Sequence, residues 1–324
     1  MSDLDLLTVG RVNLDLYAQQ TGVEFEAVRG WDAMVGGSPT NVAIAAARLG
    51  LEAAVLTAVG QDPVGDWVLA ALASEGLDTA FVARKHGPHT SLALRAQLPP
   101  EHTLAFFRQD PADIHLTDDD VAGAPSTQPR AVLISADALA RGSTPEVCWS
   151  VLEAAHETGA MTFLDLDLRE TNWADLRTYA ATVGPIVGEV AAVLGTEEEF
   201  AALLQLSDGA GPLVAAVSAR LGAGSSQVIV VKQGRHGATV LRDGARHVVP
   251  GFPTMEASSI GAGDSFAGGL IYALLAGNEW PGACEFASAC AAITVGRFGC
   301  SAGFPHLQEV EQFLGQHAES ERIA

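Results

Sequence analysis

The strongest constraint on how this chain can fold is an alternation of short apolar runs with helical segments whose ends are marked by Pro and Gly. Leu4 to Val9, Ala53 to Val59, Ala131 to Ser135, Thr162 to Leu164, Val190 to Leu194 and Val228 to Val231 all read as buried strands. Between them, Ser38-Pro39 opens a helix that Gly50 closes, Asp62-Pro63 opens one that Gly76 closes, and Thr144-Pro145 opens one that Gly159 closes. Pro suits a first helical turn, where its missing N–H would have had no partner, and Gly just past the last turn takes up the conformation that ends a helix. Strands joined through helices run parallel, and a parallel sheet needs cover on both faces. The expected fold class is therefore α/β, a central mostly parallel sheet sandwiched by helices.

Two stretches depart from this rhythm. Leu14 to Met34 and Thr90 to Arg108 alternate apolar with polar residues in hairpin-like segments too short to carry helices, which predicts a small β-sheet lid over the main sheet. Val228 to Val249 reads as a further antiparallel element, with turns at Gly234-Arg235-His236-Gly237 and Asp243-Gly244. No repeat, low-complexity linker or shift in composition divides the 324 residues, so residues 1–324 are expected to form one domain with lid segments at about 14–34 and 90–108.

Charge and hydropathy narrow the function. A net charge of -21, from 39 acidic against 18 basic residues, repels phosphate backbones and argues against nucleic acid as a partner. The start, Met1 to Arg11, has no basic region leading into a long apolar stretch, and no uncharged apolar run approaches the roughly 18 to 20 residues of a membrane span. A cytoplasmic protein without a membrane partner is expected. Cys148, Cys284, Cys290 and Cys300 are too few and too irregularly spaced for a disulfide framework or a zinc site, and are expected to be reduced and mostly buried. His86 and His89, with Gly-Pro between them, suit a surface loop.

The sharpest chemical signal is the glycine-rich turn Ser259-Ile260-Gly261-Ala262-Gly263-Asp264-Ser265, which runs into an apolar helix. Converging amides and a helix start favour a phosphate or a developing anion there, and Asp264 in the first turn can accept a proton from an attacking alcohol. Taken alone, the pattern also fits an ordinary helix start, where Asp is favoured anyway. Gly36-Gly37-Ser38-Pro39-Thr40-Asn41 brings a second pair of glycines into a helix, with an amide that can bridge the hydroxyls of a polyol; equally, Ser-Pro is simply a good helix start. Lys232-Gln233-Gly234-Arg235-His236-Gly237 is either a nucleotide-side turn or a plain hairpin. Thr196-Glu197-Glu198-Glu199 is either a carboxylate source for hydrated magnesium or a helix capping box. The only lysines, Lys85 and Lys232, precede His and Gln, which excludes a P-loop, and Phe266 stands where a dinucleotide fingerprint needs its third glycine.

In their order along the chain, Gly36-Gly37-Ser38-Pro39-x-Asn41 and Gly261-Ala262-Gly263-Asp264 resemble the two signatures of the ribokinase-like (PfkB) carbohydrate kinases. The resemblance spans nearly the whole chain and implies ATP-dependent phosphorylation of a sugar hydroxyl with Mg2+. It makes Asp264 the base and Gly261, Ala262 and Gly263 the anion hole. It places Arg11, Asn13, Asp15, Gly36, Gly37, Asn41, Arg108 and Arg169 on the sugar side. Lys232, Gly234 and Gly237 with Thr196 and Glu199 fall on the nucleotide side, and Glu199 is the magnesium residue.

Within the family, Gly10-Arg11, Asp15-Leu16-Tyr17, Arg108 to Leu116, Asp165 to Arg169 with Trp173, and Cys300-Ser301 before Pro305 resemble the 5-dehydro-2-deoxygluconokinases of inositol catabolism. The 2-keto-3-deoxygluconate kinases and fructokinases share the Gly-Gly-Ser-Pro form and stay open as alternatives, with ribokinases and nucleoside kinases further off. Arg11 and Arg108 are expected to converge on a substrate carboxylate. Thr196 stands where the family has Asn, and Ser258-Ser259-Ile260 where many members have Asp-Thr-Thr; that Asp helps several relatives bind potassium, which puts monovalent-cation activation in doubt. An apolar lid hairpin is also a surface on which a homodimer can form.

Overall fold

A computed structural model describes residues 4–98, 101–123, 127–206, 213–221 and 227–323. The thirteen strands among these described residues, in chain order, are β1 (Leu6–Val9), β2 (Asn13–Thr21), β3 (Trp31–Gly36), β4 (Ala53–Gly60), β5 (Val82–Lys85), β6 (Ser91–Leu98) and β7 (Glu101–Phe107), then β8 (Ala131–Ser135), β9 (Met161–Asp165), β10 (Ala192–Thr196), β11 (Val228–Lys232), β12 (Ala238–Arg242) and β13 (Ala245–Val249). Nine of them form one sheet in the order β13-β12-β11-β10-β9-β8-β1-β4-β5. It is parallel from β11 to β5 and antiparallel only at β11-β12-β13. The six apolar runs are the strands expected of them, and they are buried because both faces are covered.

Alternate residues of one strand enter different cores. Val228 and Val230 of β11 belong to the core shared with helices Ser38–Arg48, Ala262–Leu275 and Trp280–Val295, while Ile229 and Val231 belong to the core shared with Thr144–Thr158 and Leu176–Val187. Removing each such side chain from water contributes about 1.5–3 kcal/mol. All four cysteines are free and buried, and among the described residues no helix is long and apolar enough to cross a membrane.

The two alternating segments form a separate four-stranded sheet in the order β3-β2-β6-β7. Each is a hairpin, β2 with β3 and β6 with β7, and the hairpins join by parallel pairing of β2 with β6, Asn13 opposite Ser91. Its strands leave the large sheet on the side where β1, β8, β9, β10 and β11 end, the edge at which open α/β sheets bind ligands. Helices Ser38–Arg48 and Ala262–Leu275 pack closely at the same edge. Gly268 permits this, since a Cβ there would lie 2.8 Å from Ala45 Cβ and 3.0 Å from the Val42 carbonyl oxygen.

Candidate active site

Between the two sheets lies a cavity of about 590 Å³. Its floor is the glycine turn at the start of helix Ala262–Leu275, where Gly261 has φ 81°. A Cβ at Gly261 would lie 2.8 Å from Cys300 Sγ and 3.0 Å from the Phe304 ring, so both backbone conformation and space call for Gly. Asp264, one turn in, is held by the other glycine motif: Ser38 Oγ donates to its Oδ1 at 2.7 Å and Asn41 Nδ2 to its Oδ2 at 2.8 Å. Asn41 Nδ2 also lies 3.1 Å from Cys300 Sγ. Burial, with Asp167 nearby, pushes the Asp264 carboxyl up to about 6 against the opposing pull of Ser38, Asn41 and Arg169.

One wall carries charges of both signs. Lys232 Nζ lies 2.9 and 3.1 Å from the Asp165 carboxylate at the end of β9. Burial alone would lower the Lys232 ammonium, but Asp165 and Glu199 outweigh it and hold it above the ordinary lysine range. Burial raises Asp165 and Glu199, and Lys232 opposes both shifts. Asp167 accepts from Ser135 Oγ at 2.8 Å and pairs with Arg169 at 2.7 Å. Burial would raise its pKa, but Arg169 and Arg11 bring it below the usual carboxylate range. Its φ of 23° is strained for a non-glycine residue, and such strain clusters at functional sites.

Of the residues expected on the sugar side, Arg11, Asn13, Asp15, Gly37, Asn41 and Arg169 line the cavity. Gly36 stands behind them, because a Cβ there would lie 2.6 Å from the Asp15 carboxylate. Arg108 does not reach the cavity wall. Its Nη1 is 2.7 and 2.8 Å from the Asp113 oxygens and 2.9 Å from Ser91 Oγ, so the expected convergence with Arg11 on a ligand is replaced by an internal ion pair. Arg95 of β6 lines the cavity instead, beside Leu104 and Phe106 of β7, and Arg11 lies over the Phe106 ring at 5.6 Å.

On the other side, Lys232, Thr196 and Glu199 line the cavity, together with Gly261 and Gly263; Ala262 begins the helix between them. Gly234 and Gly237, both at positive φ, shape the turn between β11 and β12 and lie outside the wall. Glu199 serves as capping residue and cavity residue together: Oε2 accepts from the Thr196 amide at 2.8 Å and Oε1 from the Leu168 amide at 3.2 Å. The sequence by itself assigns no role to Asp165, Asp167 or Cys300, and gives no sign of Arg95 or of the Ser38 hydroxyl as cavity groups. The Asp-Leu-Asp-Leu-Arg run at a strand end was the signal that could have pointed to the first two.

The model of the pfkB family carbohydrate kinases matches residues 3–307. The chain belongs to this family. It is 31% identical over 319 residues to a 5-dehydro-2-deoxygluconokinase of Geobacillus kaustophilus, covering 97% of this chain and 94% of that one. A protein of the same name from Clostridium tetani is 30% identical, with coverages of 98% and 94%. Among solved structures, a PfkB protein from Polaromonas is similar with TM-score 0.80 and 27% identity over 95% of this chain and 99% of that one. A Vibrio cholerae fructokinase in a fructose, ADP and calcium ion bound form gives TM-score 0.82 at 25% identity, over 96% and 99%. This pfkB member is thus a sugar kinase, a phosphotransferase with an alcohol group as acceptor, and it has the ribokinase and fructokinase fold.

Proposed function

We propose that this kinase transfers the γ-phosphoryl group of ATP to a hydroxyl of a sugar acid, with 5-dehydro-2-deoxygluconate as the first candidate and Asp264 as the base. The observation that carries the acid is the presence of three guanidinium groups, from Arg11, Arg95 and Arg169, on the walls of the cavity that holds Asp264. A charge-assisted contact from arginine to carboxylate contributes roughly 1.5–3 kcal/mol, about a tenfold to hundredfold preference over a neutral analogue. The relatives named 5-dehydro-2-deoxygluconokinase support the same substrate.

In the proposed reaction Asp264 accepts the hydroxyl proton at a carboxylate oxygen while the amides around Gly261 to Gly263 face the developing charge. Lys232 would contact the nucleotide phosphates. Among the described residues no cluster of acidic, His or Cys side chains is spaced to hold a metal ion by itself. The acidic wall of Asp165, Asp167 and Glu199 fits a magnesium ion that arrives on the nucleotide with its own waters, Glu199 meeting it through water. Bound there, the ion would neutralise charge on the transferring phosphate.

A neutral ketose is the second reading. Each cavity arginine already faces an aspartate: Arg11 with Asp137 at 3.6 Å, Arg95 with Asp15 at 3.7 Å and Arg169 with Asp167 at 2.7 Å. Comparing kcat/KM for 5-dehydro-2-deoxygluconate, 2-keto-3-deoxygluconate and fructose decides between the two. The acids are expected to win by tenfold or more, with the margin shrinking in Arg11→Met and Arg169→Met. Fructose outperforming both acids would overturn the acid reading.

The Asp264 carboxyl, raised to about 6, sets the pH profile. A base must be deprotonated, so kcat should fall on the acid side with an apparent pKa near 6 and level off above it. A profile flat down to the ordinary carboxylate range would contradict the assignment.

A further inference from the structure

Arg108 is absent from the cavity wall, yet it is only 9% exposed and its surroundings are built in detail. The chain crosses between the two sheets at four places: at Val12 before β2, at Gly37 after β3, at Thr90 before β6 and at Arg108 after β7. One ion pair joins three of these crossings. Arg108 Nη1 lies 2.9 Å from Ser91 Oγ and 2.7 Å from Asp113 Oδ2, and the same Asp113 oxygen accepts from the Val12 amide at 3.3 Å. Asp113 is itself anchored to the helical layer on the large sheet, because Thr144 Oγ1, at the start of helix Thr144–Thr158, donates to its carbonyl at 2.8 Å. The Gly37 crossing is tied in next door, where Thr40 Oγ1 donates to the Arg11 carbonyl at 2.9 Å. Arg141 Nη2 holds the Arg108 carbonyl at 2.8 Å, and buried Asp137 lies 3.9 Å from Arg108 and 3.6 Å from Arg11.

We infer that the Arg108–Asp113 pair is a positioning device that fixes how the small sheet stands over the cavity, and so the fit around the sugar, while touching neither substrate. A buried ion pair adds little net stability, but it defines one geometry sharply, since any other arrangement leaves a buried charge uncompensated. The side chains whose placement depends on it are Asp15 of β2, Arg95 of β6 and Leu104 and Phe106 of β7, all lining the cavity. The inference rests on the kinase reading of that cavity and not on which sugar occupies it.

The test uses Arg108→Met, Arg108→Lys and Asp113→Asn in the full chain, with whichever sugar the wild type phosphorylates fastest. The KM for sugar should rise about tenfold or more while the KM for ATP stays within twofold. ATP hydrolysis without sugar, relative to kcat, should rise severalfold, because a loosely seated sheet admits water. Arg108→Lys should recover part of the loss, since it keeps the charge beside Asp113 and loses the fork. Where Arg108→Met does not fold, Arg108→Lys and Asp113→Asn carry the same comparison. Folded variants with sugar KM and leak within twofold of wild type would overturn the inference, and so would sugar and ATP KM rising together in step with a lower thermal midpoint. Failure of the wild type on sugar acids would count against the proposed substrate alone, because the Arg108–Asp113 pair is then judged on the sugar that is turned over.

Discussion

Asp264→Asn is expected to lower kcat by about 10²- to 10⁴-fold while the Kd for ATP stays within about threefold of wild type. The substitution removes the proton acceptor and little else. Ser38 Oγ can still donate to the remaining carbonyl oxygen of residue 264. The new amide NH2 would face Asn41 Nδ2, donor against donor. Asn41 has the remedy, since its buried Oδ1 has no hydrogen-bond partner among the described residues and turning the amide over presents that oxygen to the new donor. The variant should therefore fold with a near-native thermal midpoint, so that lost turnover reports chemistry rather than structure. Stopped turnover with intact nucleotide binding by calorimetry is the expected pair of results; a kcat within a few-fold of wild type would remove Asp264 from the base role.

Lys232→Ala has the second largest expected effect, and it acts on two observables. Lys232 is the cation 2.9 Å from Asp165, and Asp165 is buried beside Asp167 and Glu199. Deleting one partner of a buried pair leaves the other charge uncompensated, which costs about 3–5 kcal/mol. A drop in thermal midpoint of ten degrees or so follows for a chain of this size. The pH dependence has a definite sign. Asp165 already has a folded pKa above its unfolded value, because burial outweighs Lys232. Without the ammonium that gap widens, the folded state binds the proton more tightly than the unfolded chain, and stability falls as pH rises through the carboxylate range. The stability deficit of Lys232→Ala relative to wild type should thus shrink as pH is lowered toward that range. The KM for ATP should rise well before that for sugar, and a loss confined to sugar would move Lys232 out of the nucleotide site.

Both residues are marked out in the sequence, Lys232 by an apolar run that ends in the turn Gly234-Arg235-His236-Gly237. Asp264 follows Gly261-Ala262-Gly263 at a helix start, a local pattern whose chemistry needs no distant partner to be suspected. The strands and the Pro-and-Gly-bounded helices were legible because burial on both faces and helix termini leave marks within a few residues. Pairings across the chain leave no such mark. Nothing in the alternating segments says that β2 lies parallel to β6, and nothing around Arg108 says that Asp113, five residues on, folds back to neutralise it. Arginine beside a lid segment suggested a ligand, whereas the three-dimensional neighbour made it internal. Ser38 was readable only as a helix start, although its hydroxyl reaches a carboxylate 226 positions later. Thr196 to Glu199 posed a choice between capping box and functional carboxylate; the capping box is present, and Glu199 is at the same time a residue of the cavity wall.

The span between Ser38 and Asp264 has a consequence for how the protein is made. Synthesis runs from the amino end, so Ser38 emerges early and waits while the 226 positions up to its partner Asp264 are added. A nascent or prematurely terminated chain that stops short of helix Ala262–Leu275 lacks both Asp264 and the turn that carries it, whatever else of it has folded. The cavity is complete only when helix Ala262–Leu275, in the last fifth of the polypeptide, has docked against helix Ser38–Arg48 near its start.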